Sequence, residues 1–167
     1  MITQDQAFKL IEKEIQIIRQ LAKKIEPSML DYKPKEGMRT TQELLTYLNN
    51  CAYGMIAYWM SEGYTMKDYF NQLRAETPII DLSNFDDRME LQKENIQTIF
   101  AKIKANEWQH KIVTYPWGEK APLGEAIIHT SIKWLAAYKY QLFMYMKMGS
   151  DIALTTPDAW VYGTINA

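Results

Sequence analysis

The sequence predicts an all-α protein, an antiparallel four-helix bundle, and three observations carry that prediction. Apolar residues recur at three- and four-residue spacing in four long stretches, Thr-based capping signals open two of them, and Gly or Pro follows their ends. The second and third connections are long. A short extra helix between helices two and three, and an extended loop or small hairpin before the last helix, complete the expected architecture.

The first helix is expected from about Gln4 to Ile25. Thr3 and Gln6 have capping-box spacing, and Phe8, Ile11, Ile15, Ile18, Ala22 and Ile25 form one apolar seam. Glu26-Pro27 ends it, and a loop rich in turn residues runs to Gly37. A second capping box, Thr40 with Glu43, opens a helix to about Ser61 with Leu44, Leu48, Cys51, Met55 and Trp59 inward. Met66 to Ala75 is a polar helical connector. The third helix, about Asn84 to Lys104 and capped by Ser83 or Asp81, carries Phe85, Met89, Gln92, Ile96, Ile99 and Ile103 on one stripe. Gln92 is either a hydrogen-bonded buried amide or a pocket-lining group. Lys111 to Tyr115 is β-prone, and Pro116-Trp117-Gly118 reads as a turn.

The last helix is expected from Pro122 to Met148, with Gly149 as its stop. A wheel of 100° per residue centred on Trp134 puts Leu123, Ile127, Thr130, Ala137, Tyr138, Gln141, Met144, Tyr145 and Met148 on one arc. Glu125, His129, Lys133, Lys139 and Lys147 fall opposite. The predicted inward face therefore offers Thr130, Trp134, Tyr138 and Gln141 as site residues. Ile132, Tyr140 and Phe143 on the outer arc would be explained by a homodimer contact or by cover from the C-terminal tail, which carries Trp160 and Tyr162.

Composition narrows the function classes. At 167 residues, 47% hydrophobic and 23% charged, residues 1–167 are expected to form a single domain with a sizeable core. A net charge of -1 without a Lys/Arg cluster leaves no electrostatic footprint for nucleic acid, so none is expected as a partner. The N-terminus lacks a signal-like apolar run, and no stretch reaches about 18 apolar residues, so no membrane span is expected. Cys51 is the single cysteine. It excludes an intrachain disulfide and a Cys-based zinc centre, and a reduced, cytoplasmic setting follows as the expectation.

No phosphate loop, nucleophile elbow, H-E-x-x-H or Cys/His cluster occurs, so no catalytic residue is identified. Of the two histidines, His110 reads as a solvated loop residue. Glu125 and His129, four apart, have the spacing of a two-ligand metal edge, but the wheel sets them among lysines on a solvated face. They stand as the weaker alternative to a protein with no metal.

The runs LDYKPKEGMRTTQELLTYL and PLGEAIIHTSIKWLAAYKYQLFMYMKMG resemble the DinB/YfiT-like superfamily, a DNA damage-inducible family of four-helix bundles. Its helix-two motif ends in E-L-L-x-H, and its last helix carries H-x-x-x-H-R-G-Q-[IL]. The resemblance implies a metal-dependent hydrolase or thiol transferase using zinc or nickel held by three histidines. Carried onto this chain, the helix-two histidine falls on Tyr47, and the pair in the last helix on Trp134 and Tyr138. The family's Arg-Gly becomes Lys139-Tyr140. All three ligands are thus replaced, and neither Trp nor a protonated Tyr substitutes for a neutral imidazole. The expectation is a divergent member whose former site, with Tyr47, Trp134, Tyr138, Gln141, Thr130 and Gln92 as pocket candidates, takes a small molecule or a protein partner without a cofactor. The alternative is an enzyme with a relocated site using His129, Glu125, Glu43 or Tyr47. A role in DNA damage is suggested by the family name alone.

Overall fold

Thr3 and Thr40 each start a helix where their spacing predicts one. In the computed structural model, which describes residues 2–163, both capping boxes are closed. The Thr3 hydroxyl accepts from Gln6 N at 3.2 Å while Gln6 accepts from Thr3 N at 2.9 Å. Helix α1 (Gln4–Ala22) buries Ala7, Ile11, Ile15, Ile18 and Leu21 completely and packs on three later helices: α5 (Phe85–Phe100), α8 (Lys133–Gly149) and α9 (Thr156–Trp160). Each such isoleucine contributes about 1.5–3 kcal/mol of burial. The chain is mostly helical throughout.

The expected second helix is broken. It forms α2 (Thr41–Leu48) and α3 (Tyr53–Met60), separated by a turn at 49–52. Asn49-Asn50 is a weak helical pair, and a distant side chain takes over the freed backbone. Gln92 of α5 accepts from Ala52 N and Tyr53 N, both at 3.2 Å, and donates to Leu48 O at 3.0 Å. Gln92 is thus a hydrogen-bonded buried amide, and it also borders a polar hollow, so the two accounts are not exclusive.

The connector is α4 (Met66–Glu76), which buries no residue fully. It leans on α3 where Gly54 leaves room, since a Cβ there would lie 2.9 Å from Phe70 Cε1. After α5 comes an unexpected short helix, α6 (Ala105–His110), which buries Trp108. The hairpin then forms as expected, β1 (Ile112–Thr114) pairing antiparallel with β2 (Lys120–Pro122). The Trp59 indole donates to Thr114 O at 3.0 Å and ties the hairpin to α3.

The last helix departs from the wheel. It comprises α7 (Leu123–Ile127), one π turn (Ile128–Ile132) and α8. A π turn takes one residue more than an α turn, so the inward face arrives one position later beyond it. Leu123 and Ile127 are buried as expected, but the deep line continues through Ser131, Leu135, Lys139, Leu142 and Met146. Trp134, Tyr138, Gln141 and Met144 are only half-buried, and Ala137 and Met148 are exposed. Lys139, placed outside by the wheel, is 0% exposed and 2.7 Å from Glu14 of α1. The π turn also meets the break in the other helix, for the Ser131 hydroxyl donates to Ala52 O at 2.8 Å.

The tail packs back as expected. Ala159 is fully buried on α1 and α8, Lys24 pairs with Asp158 at 2.5 Å, and Trp160 stacks on Tyr140, whose ring stacks in turn on Phe143. The tail therefore partly covers Tyr140, one of the three outer-arc apolar residues, while Phe143 packs on Tyr140 of its own helix. Among the described residues, no helix is long and apolar enough to cross a membrane.

Candidate functional site

A cavity of about 420 Å³ opens beside α2, α3, α4 and α8. Its volume lies within the ~300–1,000 Å³ usual for small-molecule sites. Tyr47 from α2 and Trp134 from α8 form part of its wall. Tyr138, one turn after Trp134, lies against Tyr47 with ring centroids 4.6 Å apart and planes inclined by 56°. These three sequence-predicted residues come together because α2 packs on α8 and because the π turn swings Trp134 and Tyr138 off the central line.

The other predicted residues serve different places. Gln141 donates to the Tyr145 hydroxyl at 2.9 Å, which donates to Arg39 O at 3.1 Å, so it steadies the loop that delivers Arg39. Thr130 is fully buried and donates to Ala126 O at 2.8 Å, within its own helix. Gln92 serves the α2–α3 break. Glu125 and His129 are exposed and border a separate hollow of about 300 Å³ beside Trp108. His110 is exposed at the end of α6.

Several lining groups were not legible in the sequence. Arg39 and Arg74 both reach the cavity, with Cys51, Met55 and Phe70 supplying apolar wall. The Arg39 guanidinium carbon lies 4.7 Å from the Tyr47 centroid and 5.9 Å from that of Tyr138. Such contacts favour a cation over the ring face. Glu43 is the one lining carboxylate, and it is engaged at the helix cap, accepting from Thr40 N at 2.8 Å. The cavity therefore carries an excess of positive charge. Position in a Gly37-Met38-Arg39 loop gave no sign of where Arg39 would point, and Arg74 sits on a helix whose placement depends on Gly54.

Protonation states limit the chemistry. Burial, then Tyr138, raises the Tyr47 phenol well above its ordinary range, and nearby Arg39 offsets only part of this. Burial likewise pushes the Cys51 thiol up to about 12, so it stays protonated at neutral pH and is a poor nucleophile or metal ligand. The groups at the three family ligand positions are then two phenols and an indole. As a donor set they do not fit a divalent ion: the indole N–H has no lone pair to give, and the Tyr47 phenol is held neutral. Among the described residues, no cluster of three or more His, Cys, Asp or Glu side chains has the geometry to hold a metal.

No family model and no curated protein matches the sequence. Solved structures do match. One, from Exiguobacterium sibiricum 255-15, is of a protein provisionally assigned to the DinB family. It aligns with a TM-score of 0.69 at 22% identity, over 92% of this chain and 97% of that one. The likeness is one of fold, and it spans nearly the whole of both chains.

Proposed function

We propose that this chain is a DinB-like protein, an antiparallel four-helix bundle in which the metal site has given way to a small-molecule pocket. Its helices α1, α2–α3, α5 and α7–α8 are the four members of that bundle. The observation that carries the reading is the cavity itself: of the three positions that the resemblance assigns to metal ligands, Tyr47 and Trp134 line an aromatic hollow with two arginines, and Tyr138 lies against Tyr47. Its chemistry suits a molecule with an apolar or aromatic body and a negative charge. We read the role as binding, because burial keeps the Cys51 thiol protonated and so a poor nucleophile. A reducing, cytoplasmic setting suits the single buried thiol.

Two measurements test this. Untagged protein, incubated with zinc, nickel and manganese and freed of excess ion, should retain well under one ion per chain by mass spectrometry. 1-Anilinonaphthalene-8-sulfonate, an aromatic anion, should bind with a rise in its own fluorescence, and Tyr47→Ala should weaken that binding several-fold. One tightly held ion per chain would overturn the reading and favour a relocated metal-dependent hydrolase or thiol transferase. Dye binding unaffected by Tyr47→Ala would remove the cavity from consideration.

A further inference from the structure

A second chamber lies against α4 on the side toward α5. It measures about 180 Å³, and its lining is polar: Asn49, Tyr53, Glu76, Arg88, Gln92 and Asn95. Asn50, Leu73 and Thr77 border both this chamber and the larger cavity, and the Asn50 amide donates to Thr77 Oγ1 at 2.7 Å in that shared wall. The two hollows are therefore neighbours, one aromatic and one polar.

The chamber holds polar atoms that the fold leaves without partners. Asn49, in the α2–α3 break, is 1% exposed, and among the described residues neither its Oδ1 nor its Nδ2 meets a hydrogen-bonding group. Arg88 adds a buried Nε in the same condition, and its guanidinium enters none of the described ion pairs. Gln92 in the same wall provides the contrast, with its amide bonded to three backbone groups. Buried amides and guanidinium nitrogens are normally paired. Among the described residues, three of the five buried side-chain atoms without a hydrogen-bond partner border this hollow, and the other two, Glu14 Oε2 and Lys139 Nζ, form an ion pair with each other.

We propose that this chamber binds the carboxylate end of a small molecule whose apolar part occupies the neighbouring aromatic cavity, an extension that rests on the small-molecule reading above. A carboxylate would accept from Arg88 Nε and Asn49 Nδ2, the charge-assisted geometry that guanidinium groups favour. Asn49 Oδ1 then selects a hydroxyl or amine beside the carboxylate, because it can only accept. Glu76, the one carboxylate in the lining, disfavours a second negative charge and suits an amine. The ligand class is an aryl-bearing hydroxy- or amino-carboxylate. At 180 Å³ the chamber is too small for such a molecule by itself, which is why the adjoining cavity belongs to the site.

The test is an NMR titration of the full chain with 3-phenyllactate and with uncharged 3-phenylpropanamide, read at the Asn49 side-chain amide, Arg88 Nε and the Trp134 indole. 3-Phenyllactate should move all three, and Arg88→Gln should weaken its binding tenfold or more while leaving the weaker Trp134 response to 3-phenylpropanamide unchanged. Shifts by 3-phenyllactate at Trp134, Arg39 and Arg74 alone would overturn the chamber and leave the cavity reading intact. An Asn49 amide that exchanges with water and moves with neither probe marks a hydration site only, and also overturns it. If neither probe moves Trp134 or Asn49, both readings fail together.

Discussion

Lys139→Met tests whether the buried cation of α8 is held by its partner or merely tolerated. Lys139 Nζ lies 2.7 Å from Glu14 Oε2, with side-chain exposures of 0% and 20%, and 4.6 Å from the Trp160 centroid. Methionine retains much of the apolar stem, so the change removes chiefly the charge and leaves Glu14 opposite an apolar group. Breaking a buried pair in this way costs roughly 3–5 kcal/mol. Water reaches Glu14 from its exposed fifth and relieves part of that, so we expect about 2–4 kcal/mol. At roughly 2–4 °C per kcal/mol for a chain of this size, Tm should fall by about 4–16 °C. Lys139→Met with Glu14→Leu should recover most of the loss, because an apolar pair of similar volume is often neutral relative to the ions. Urea unfolding of the four proteins of this cycle, followed by circular dichroism, gives the coupling directly. Additive losses, with the double variant less stable than either single one, would refute the reasoning.

Three further outcomes follow from the same packing. Gln92→Leu should cost about 2–4 kcal/mol, since two N–H groups and one carbonyl lose their partner at roughly 1 kcal/mol or more each, and hydrogen exchange at Ala52 and Tyr53 should speed up. Trp134→Ala should cost only about 1–2 kcal/mol, below the ~3–5 of a fully buried ring, because Trp134 already faces a cavity, while exposed His129→Ala should stay within about 0.5 kcal/mol. The reverse ranking in urea unfolding would contradict the placement of both. Arg19, bound to Asp86 through two 2.8 Å hydrogen bonds, holds that carboxyl below its ordinary range. Its stabilisation is then complete above the unfolded value of about 3.9 and is lost as pH falls through the lower folded value, so Arg19→Gln should flatten stability against pH in that acidic window.

What the sequence revealed was local. Thr3 with Gln6 and Thr40 with Glu43 cap as their spacing implies, because the partners are three residues apart and need nothing from the rest of the fold. The tail and the hairpin were legible from turn residues and aromatics. The break at 49–52 was not, since the amide that stabilises it comes from Gln92, some forty residues away. The stripe of Leu44, Leu48, Cys51 and Met55 continues across the interruption and conceals it. The cavity was half legible. Tyr47, Trp134 and Tyr138 follow from motif positions, whereas Arg39, Arg74 and Phe70 reach it from a loop and a connector whose placement is tertiary.

The π turn explains how α8 comes to supply an aromatic wall to the cavity. With an uninterrupted α-helix, the 3.6-residue period starting at Leu123 and Ile127 runs on to Trp134, Tyr138 and Gln141, and those rings would take the central line. One added residue turns the following helix by about 100°, which gives that line to Leu135, Lys139 and Leu142 and moves Trp134 and Tyr138 toward Tyr47. The same turn places Lys139 against Glu14, so the buried pair and the aromatic hollow have one origin. Ser131 explains why the turn persists, for its hydroxyl reaches Ala52 O at the break that Gln92 also holds. Two irregular helices thus stabilise each other where they meet. Irregular helical backbone is concentrated at functional sites in other proteins, and here one edge of this junction adjoins the polar chamber through Asn49 and Gln92. A helix regularised at either place would gain local hydrogen bonding and lose the arrangement that keeps both hollows open.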